Sequence, residues 1–298
     1  MLVIRMITML LLLLPGSVHV LAASPGHYPL LRDSLDPGLQ RGVERAIDTL
    51  ALGRAIQNKK LAVALVDITK PTRPRYAALN GDEMLYAASL PKIAILLGAF
   101  VQIEQGKMEM TPANLESLTR MIRVSSNTEA TRMLNRVGKQ EVIDILRSDR
   151  FRLYDPAVNG GLWVGKEYGK SSAYKRDPLH HLSHGATALQ TARFYYLLDT
   201  NRMLRSDLSR QMKEMLGNPG IKHKFVKGLE KYPGVRIYRK SGSWRQWHAD
   251  SAIVESGKYK YIAVVLAEHP DGPVLLPRII QQLHELIVPV TVASTGTQ

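Results

Sequence analysis

Apolar positions recur at helical spacing after Asp36 and Pro37, and they predict the first helix of the chain. Asp36 is suited to cap a helix, and Pro37 is suited to its first turn. The apolar residues that follow lie three or four positions apart, as one face of a helix requires: Leu39, Val43, Ile47 and Leu50. The pattern therefore predicts an N-terminal helix of about 15 residues.

Five short segments have the composition of strands. Residues 61–67 form an almost continuous apolar run, and residues 76–79 are its predicted hairpin partner. Three more strands are predicted at 235–239, 248–254 and 259–267, before an amphipathic helix over 275–288. Because these strands come from both ends of the chain, they predict one five-stranded antiparallel sheet.

The middle of the chain, residues 91–219, carries mostly helical signals. The predicted fold class is therefore α+β, with a five-stranded antiparallel sheet flanked by helices and an all-helical lobe. We expect a single domain over residues 24–298, because about 275 residues suit one domain with two lobes. Residues 36–90 and 220–290 would form the α/β lobe, and residues 91–219 the helical lobe.

The first 23 residues have the pattern of a secretory signal. Arg5 precedes an apolar run over residues 6–14, and small residues end the segment at 21–23. The run is broken by Pro15 and is shorter than the roughly 20 residues that a membrane helix needs. We expect cleavage and a location in the periplasm or outside the cell, with an uncleaved N-terminal anchor as the alternative.

Composition limits the partners. The chain has no cysteine, which excludes disulfides, thiolate metal sites and lipid attachment through an N-terminal cysteine. A formal net charge of +14 favours anionic partners, and outside the cytoplasm these include an anionic cell-wall polymer. A solvated basic surface without a partner is the alternative. We expect no nucleic acid partner, no cofactor and a monomer.

Three short motifs, far apart in the chain, carry the candidate chemistry. They are Ser89-Leu90-Pro91-Lys92, Ser125-Ser126-Asn127 and Lys240-Ser241-Gly242. The first motif is weak alone, since a second S-x-x-K match stands at residues 172–175. Only the match at Ser89 opens an apolar run that predicts a buried helix, on which a serine and a lysine three positions on share one face.

Together, in this order, the three motifs resemble the class A serine β-lactamase and penicillin-binding protein superfamily over about residues 39–288. The resemblance implies a serine acyl-transfer enzyme with Ser89 as nucleophile. A serine needs a nearby base, and Lys92 is the nearest candidate if its pKa is lowered. Lys240 would supply a neighbouring cation that lowers the pKa of Lys92. Ser125, whose hydroxyl would lie between the two lysines, would relay a proton to the leaving nitrogen.

Further roles complete the predicted site. Asn127 would hold a substrate amide carbonyl and also bond Lys92. The family builds its oxyanion hole from backbone N–H groups, here those of Ser89 and Ser243. Gly242 would let the strand approach the acyl group. Ser241 and Arg245 are predicted to bind a substrate carboxylate, although Arg245 packing against neighbouring indoles is an equal alternative.

Two departures from the family pattern affect the second half-reaction. Class A enzymes deacylate with a loop glutamate that has an asparagine four residues later, whereas Glu167 here is followed by Ser171 and lies about 20 residues before the next predicted helix. We therefore assign no deacylating base. Only 36 positions separate Ser89 from Ser125, which indicates a shortened loop and an opened cleft suited to a peptide or polymer.

Several functions remain open from the sequence. The favoured one is an exported serine hydrolase acting through Ser89 on D-Ala-D-Ala-type peptidoglycan peptides or on β-lactams. The alternatives are a true class A-like β-lactamase, a noncatalytic cell-wall binder and an esterase of the same fold. A metal site is not predicted: His180, His181 and His184 lack a carboxylate at ligand spacing and suit a polar loop.

Overall fold

A computed structural model describes residues 28–289, so the predicted signal segment lies outside the described residues. The helices are α1 Pro37–Thr49, α2 Gly53–Gln57, α3 Lys92–Glu104, α4 Pro112–Arg123, α5 Asn127–Val137, α6 Lys139–Arg147, α7 Ala188–Asp199, α8 Ser206–Leu216, α9 Phe225–Leu229 and α10 Gly272–Ile287. The strands are β1 Leu61–Asp67, β2 Arg75–Leu79, β3 Leu85–Tyr86, β4 Tyr154–Asp155, β5 Gly160–Gly161, β6 Trp163–Val164, β7 His184–Ala186, β8 Arg236–Trp244, β9 Trp247–Ser256 and β10 Tyr259–Glu268. Within this part of the chain, no helix combines the length and apolar character needed to cross a membrane.

The main sheet has the strand order β2-β1-β10-β9-β8, and every neighbouring pair is antiparallel. Two strands from the first third of the chain therefore pair with three from the last third. The predicted α+β fold with a five-stranded antiparallel sheet is confirmed. The predicted first helix is also present as α1, and the side chain of Asp36 caps it by accepting a hydrogen bond from the Leu39 N–H at 2.7 Å.

Both faces of this sheet are covered, which explains the continuous apolar run of β1. Successive side chains of a strand point to opposite faces. Ala62, Ala64 and Val66 lie in a large core that includes α3 and α7, whereas Val63 and Leu65 lie in a second core with α1 and α10. The sheet is thus the middle layer of the molecule.

Helix α3 begins at Lys92, directly after Pro91 and three residues beyond Ser89. Nearly all of its residues are buried, as expected for a helix that is apolar all round. Ser89 lies in the turn before the helix, and the Lys92 N–H donates to the Ser89 carbonyl at 3.3 Å. A bond from the Ala87 N–H to the His184 carbonyl at 3.0 Å ties this turn to the small sheet β3-β7-β6.

The structure differs from the prediction in two places, the segment between α6 and α7 and the end of β8. The segment between α6 and α7 contains β4 to β7 and loops, so the expectation of mostly helical structure is wrong there. Gly160 and Gly161 have φ values of +99° and +152°, and a Cβ on Gly161 would lie 2.0 Å from the Leu153 carbonyl oxygen. This backbone packing requires glycine and is incompatible with a helix. In addition, β8 continues to Trp244, so the third motif lies inside the strand, paired with β9.

Candidate active site

Lys92 occupies the first position of α3 with its side chain fully buried. Its Nζ donates to the Ser125 carbonyl oxygen at 2.7 Å and to Asn127 Oδ1 at 2.8 Å. Burial, rather than the predicted charge of Lys240, lowers the pKa of Lys92 from 10.5 to about 7. A neutral amine has two N–H groups and one lone pair, so it can keep both bonds and still accept a proton.

Ser125 links the first motif to the third. Its Oγ lies 3.3 Å from the Nζ of Lys92 and 3.0 Å from the Nζ of Lys240. Its backbone has a φ of +57°, immediately before Ser126, whose side chain caps α5 by accepting a bond from the Glu129 N–H. The hydroxyl of Ser125 therefore lies between the two lysine amines, as the sequence predicts.

Lys240 lies in β8 and is 1% exposed. It also donates to the Ser241 carbonyl oxygen at 2.8 Å. Burial lowers the pKa of Lys240 well below its usual range, and the positive charge of Lys92 lowers it further. Two buried ammonium groups that share one hydroxyl repel each other, so protonation of one lysine disfavours protonation of the other.

Gly242 brings the third motif against the nucleophile. A Cβ at this position would lie 2.1 Å from the Ala87 carbonyl oxygen, 2.8 Å from the Ser89 backbone nitrogen and 2.9 Å from that of Leu90. No side chain fits in such a space. The glycine of the motif is therefore required for β8 to pack on the turn that carries Ser89.

A cavity of about 520 Å³ opens beside this cluster. Three predicted site residues line it, namely Ser89, Asn127 and Ser243; the lining also includes Tyr86, Ala88, Lys166, Glu167, Tyr168, Gly169, Lys170, Ser183, His184, Trp244 and Trp247. Asn127 connects the cavity to Lys92 through their hydrogen bond. The first motif, the second motif and the residue that follows the third motif thus line one space, and the candidate nucleophile is among the residues that line it.

The structure does not bring Arg245 into the lining of this cavity. Arg245 lies in the two-residue turn between the paired Trp244 and Trp247, with a φ of +50°. Its guanidinium carbon lies 5.7 Å from the centre of the Trp244 ring, and the side chain is exposed. This is the packing arrangement that the sequence left as an alternative. Ser241 is buried next to Lys240, and its carboxylate-binding role stays a prediction.

Lys224 is a component of the site that the sequence did not indicate. Its side chain is 1% exposed, and its Nζ donates to Gly242 O, to Ser243 Oγ at 2.8 Å and to Ala249 O at 3.2 Å. Burial lowers its pKa to about 8. Its backbone has a φ of +52° and a ψ of −115°, an unfavourable conformation for lysine. A strained, buried cation therefore supports the strand that carries Ser243.

The loop after β6 places an aromatic residue, rather than a carboxylate, next to Lys92. Glu167 forms an ion pair with Lys139. The hydrogen bond from Lys139 is the main cause that lowers the pKa of Glu167, and other hydrogen bonds lower it further. The neighbouring Tyr168 has its ring centre 4.5 Å from the Nζ of Lys92 and stacks on His184 at 4.3 Å. The Tyr168 hydroxyl is buried without a hydrogen-bond partner.

The three histidines weighed as metal ligands do not converge on one point, and His184 lies buried in β7 rather than in the predicted polar loop. His180 Nε2 pairs with Asn159 Oδ1 at 2.9 Å, whereas His184 Nε2 donates to the Lys166 carbonyl at 3.0 Å. Among residues 28–289, no group of three or more histidine, aspartate and glutamate side chains is arranged to hold a metal ion.

Comparison with protein families gives a match over more than half of the chain. The sequence model of the Beta-lactamase enzyme family matches residues 111–288. This range includes the second and third motifs and begins after Ser89. A search of curated protein sequences finds no match.

Solved structures share the fold at low sequence identity. A beta-lactamase from Sphaerobacter thermophilus DSM 20745 is 17% identical, with a TM-score of 0.65 over 82% of this chain and 96% of its own. The protein PBP-A is 15% identical, with a TM-score of 0.62 over 84% and 96%. An ancestral class A beta-lactamase is 18% identical, with a TM-score of 0.61 over 80% and 99%.

Proposed function

The chain belongs to the beta-lactamase enzyme family, and we propose that this serine hydrolase forms an acyl-enzyme at Ser89 with D-Ala-D-Ala-type peptides or with β-lactams. The observation that carries the proposal is the buried amine of Lys92, which lies one turn after Ser89 and is bonded to the Ser125 carbonyl and Asn127. A buried lysine with a lowered pKa is a base that works near neutral pH.

Acylation begins with attack by Ser89. Its Oγ bonds to the substrate carbonyl carbon while its proton passes to the lone pair of Lys92. The negative charge that develops on the carbonyl oxygen needs two donors aimed at one point. The N–H groups of Ser89 and Ser243 fit this role because Gly242 holds their two segments together.

Cleavage then needs a proton on the leaving nitrogen. The hydroxyl of Ser125 can donate its own proton to that nitrogen and receive the proton that Lys92 took from Ser89. Lys240, 3.0 Å away on the other side, stabilises the hydroxyl oxygen while the proton moves. The C–N bond breaks and the acyl group stays on Ser89.

The buried charges favour a substrate that carries a carboxylate. Arg239 and Asp250 neutralise each other through two bonds of 3.0 and 2.8 Å. Within the described residues, no carboxylate is bonded to Lys224 or Lys240, and both lysines adjoin the third motif. An uncompensated positive potential attracts anions, and a peptide that ends in D-Ala provides one.

Tyr168 favours penicillin binding over rapid turnover. Hydrolysis of the acyl-enzyme needs a base that activates water, and the residue packed against Lys92 is an aromatic ring. A nearby carboxylate would raise the Lys92 pKa, and burial, which lowers it, is the one cause of its shift. We therefore propose a long-lived β-lactam adduct.

A β-lactamase is the second candidate, and one observation favours it. Glu167 lines the same cavity as Ser89, and its lowered pKa keeps it ionised at neutral pH. If the Lys139 ion pair opens during the reaction, Glu167 becomes available to activate water. Rapid recovery of free enzyme after acylation would support this function instead.

We also propose that the protein acts outside the cytoplasm. Support comes from the signal pattern of residues 1–23 and from the fact that D-Ala-D-Ala peptides of the cell wall are found there. The mass of the protein purified from its native cell envelope tests this proposal. Loss of the first 23 residues is expected, and recovery of the intact chain from the cytoplasm would contradict it.

Two assays test the proposed reaction. A fluorescent penicillin should label the wild-type protein and should not label the Ser89→Ala variant. A synthetic acyl-D-Ala-D-Ala peptide should release D-Ala, and the matching ester should report any esterase activity. A folded protein that reacts with none of these compounds would support a noncatalytic binder.

A further inference from the structure

The mouth of the cavity is lined by aromatic side chains that the acylation chemistry does not use. Trp244 is 57% exposed at the end of β8. Trp247 packs edge-on against Tyr86, with ring centres 6.1 Å apart. Both tryptophans and Tyr86 line the same cavity as Ser89. An exposed indole grouped with two further aromatic rings beside the candidate nucleophile offers an apolar surface to a ligand.

The position of Trp244 relative to Arg245 suits a ligand that enters the cavity. Arg245 packs over the Trp244 ring at 5.7 Å, outside the cavity. Trp244, unlike Arg245, is among the residues that line the cavity. A flat ligand group in the cavity can therefore pack on an indole that Arg245 already contacts.

The charges around this mouth are positive. Lys166 and Lys170 line the cavity on the loop after β6, and Arg245 lies at the tip of the facing hairpin. The carboxylate that lines the same space, Glu167, is already paired with Lys139. A ligand with negative charge is therefore favoured over a neutral or cationic one.

We propose that Trp244 forms a subsite for a sugar ring of an acidic glycan that carries the peptide substrate. The inference rests on the proposed function, because the glycan would present its peptide to Ser89. A pyranose ring has an apolar C–H face that packs on an indole, and hydroxyl groups at its edge that suit Lys166 and Ser183. The site is a concave cavity, which fits a chain of rings better than a flat lipid surface.

The test compares binding in proteins that cannot turn over. Ser89→Ala serves as the parent, and the double variant Ser89→Ala/Trp244→Ala removes the indole. Ser89→Ala/Leu115→Ala is the matched control, because Leu115 is also exposed, at 47%, and lies outside the cavity lining. Binding is measured by co-sedimentation with purified cell-wall glycan, both with its peptides and after their removal, and with anionic phospholipid vesicles.

We expect the Trp244 variant to bind both glycan preparations at least fivefold more weakly than the parent, and the Leu115 variant to bind like the parent. Equal binding by the Trp244 variant, or binding by the parent to vesicles alone, would overturn the inference. Far-ultraviolet circular dichroism of each variant separates a binding loss from unfolding. Penicillin labelling of the wild-type protein tests the reaction separately, so a failure of the glycan subsite is distinguishable from a failure of the proposed function.

Discussion

Lys240 donates a hydrogen bond of 3.0 Å to the hydroxyl of Ser125, whose oxygen also lies 3.3 Å from the Nζ of Lys92. This contact joins a residue of β8 to the turn before α5. It makes Ser125 the one hydroxyl, within residues 28–289, that bonds both lysines of the motifs. The proposed proton relay depends on it.

Replacing Ser125 with alanine should therefore slow acylation by β-lactams about 100-fold, since a positioned proton-transfer group contributes at least that factor. The rate of penicillin labelling measures the effect. Ser126→Ala is the matched control: it removes the α5 cap and should lower the free energy of unfolding by about 1 kcal/mol. Its labelling rate should stay near that of the wild type. Equal rates for the two variants would contradict the relay.

The acylation rate should fall on the acidic side of neutrality. Lys92 must be neutral to accept the Ser89 proton, and its pKa is lowered to about 7. Below that pH the amine is protonated, and the rate should drop about tenfold for each further pH unit. Labelling rates between pH 5 and 8 check this dependence. A rate that stays constant down to pH 5 would exclude Lys92 as the base.

Lys224 should support acylation without contacting the reacting atoms. Lys224→Met removes the bonds to Gly242 O, Ser243 Oγ and Ala249 O, so the Ser243 N–H loses its support. We expect acylation about tenfold slower, which is less than the roughly 100-fold loss on removing an oxyanion donor, because the N–H itself remains. Lys222→Met, at an exposed position nearby, is the control. Thermal unfolding of both variants identifies a loss that comes from instability alone.

The lifetime of the β-lactam adduct should not depend on Glu167. In Glu167→Gln we expect deacylation within twofold of the wild type, because the carboxylate is held by Lys139. Tyr168→Glu would place a carboxylate beside Lys92 and should shorten the lifetime, with Tyr168→Gln as its uncharged control. A much longer lifetime in Glu167→Gln would instead identify Glu167 as the water-activating base.

Local patterns predicted the sheet, whereas the family resemblance predicted the meeting of the three motifs. The apolar run of β1 and the cap at Asp36 are properties of neighbouring residues, and the structure confirms the elements they predict. The helical prediction failed between α6 and α7, where the backbone at Gly161 packs against the Leu153 carbonyl. That contact depends on folding and leaves no period in the sequence.

Other features of the site depend on contacts between distant segments. Lys224 lies in a polar stretch with other lysines, and only the packing of that stretch on β8 and β9 buries its amine. The loop after β6 has no period either, so the sequence did not reveal that Tyr168 faces Lys92 while Glu167 faces Lys139. Arg245 was selected for its closeness to the third motif, but the tight turn directs it onto Trp244.

The most direct test of the central claim is the intact-protein mass after mixing with benzylpenicillin, followed over time in the wild type and in Ser89→Ala. The account predicts a rapid mass increase of one penicillin, located on Ser89 by peptide mapping and lost only slowly, with no increase in Ser89→Ala. A folded wild-type protein whose mass does not change, or an adduct that also forms in Ser89→Ala, would contradict it.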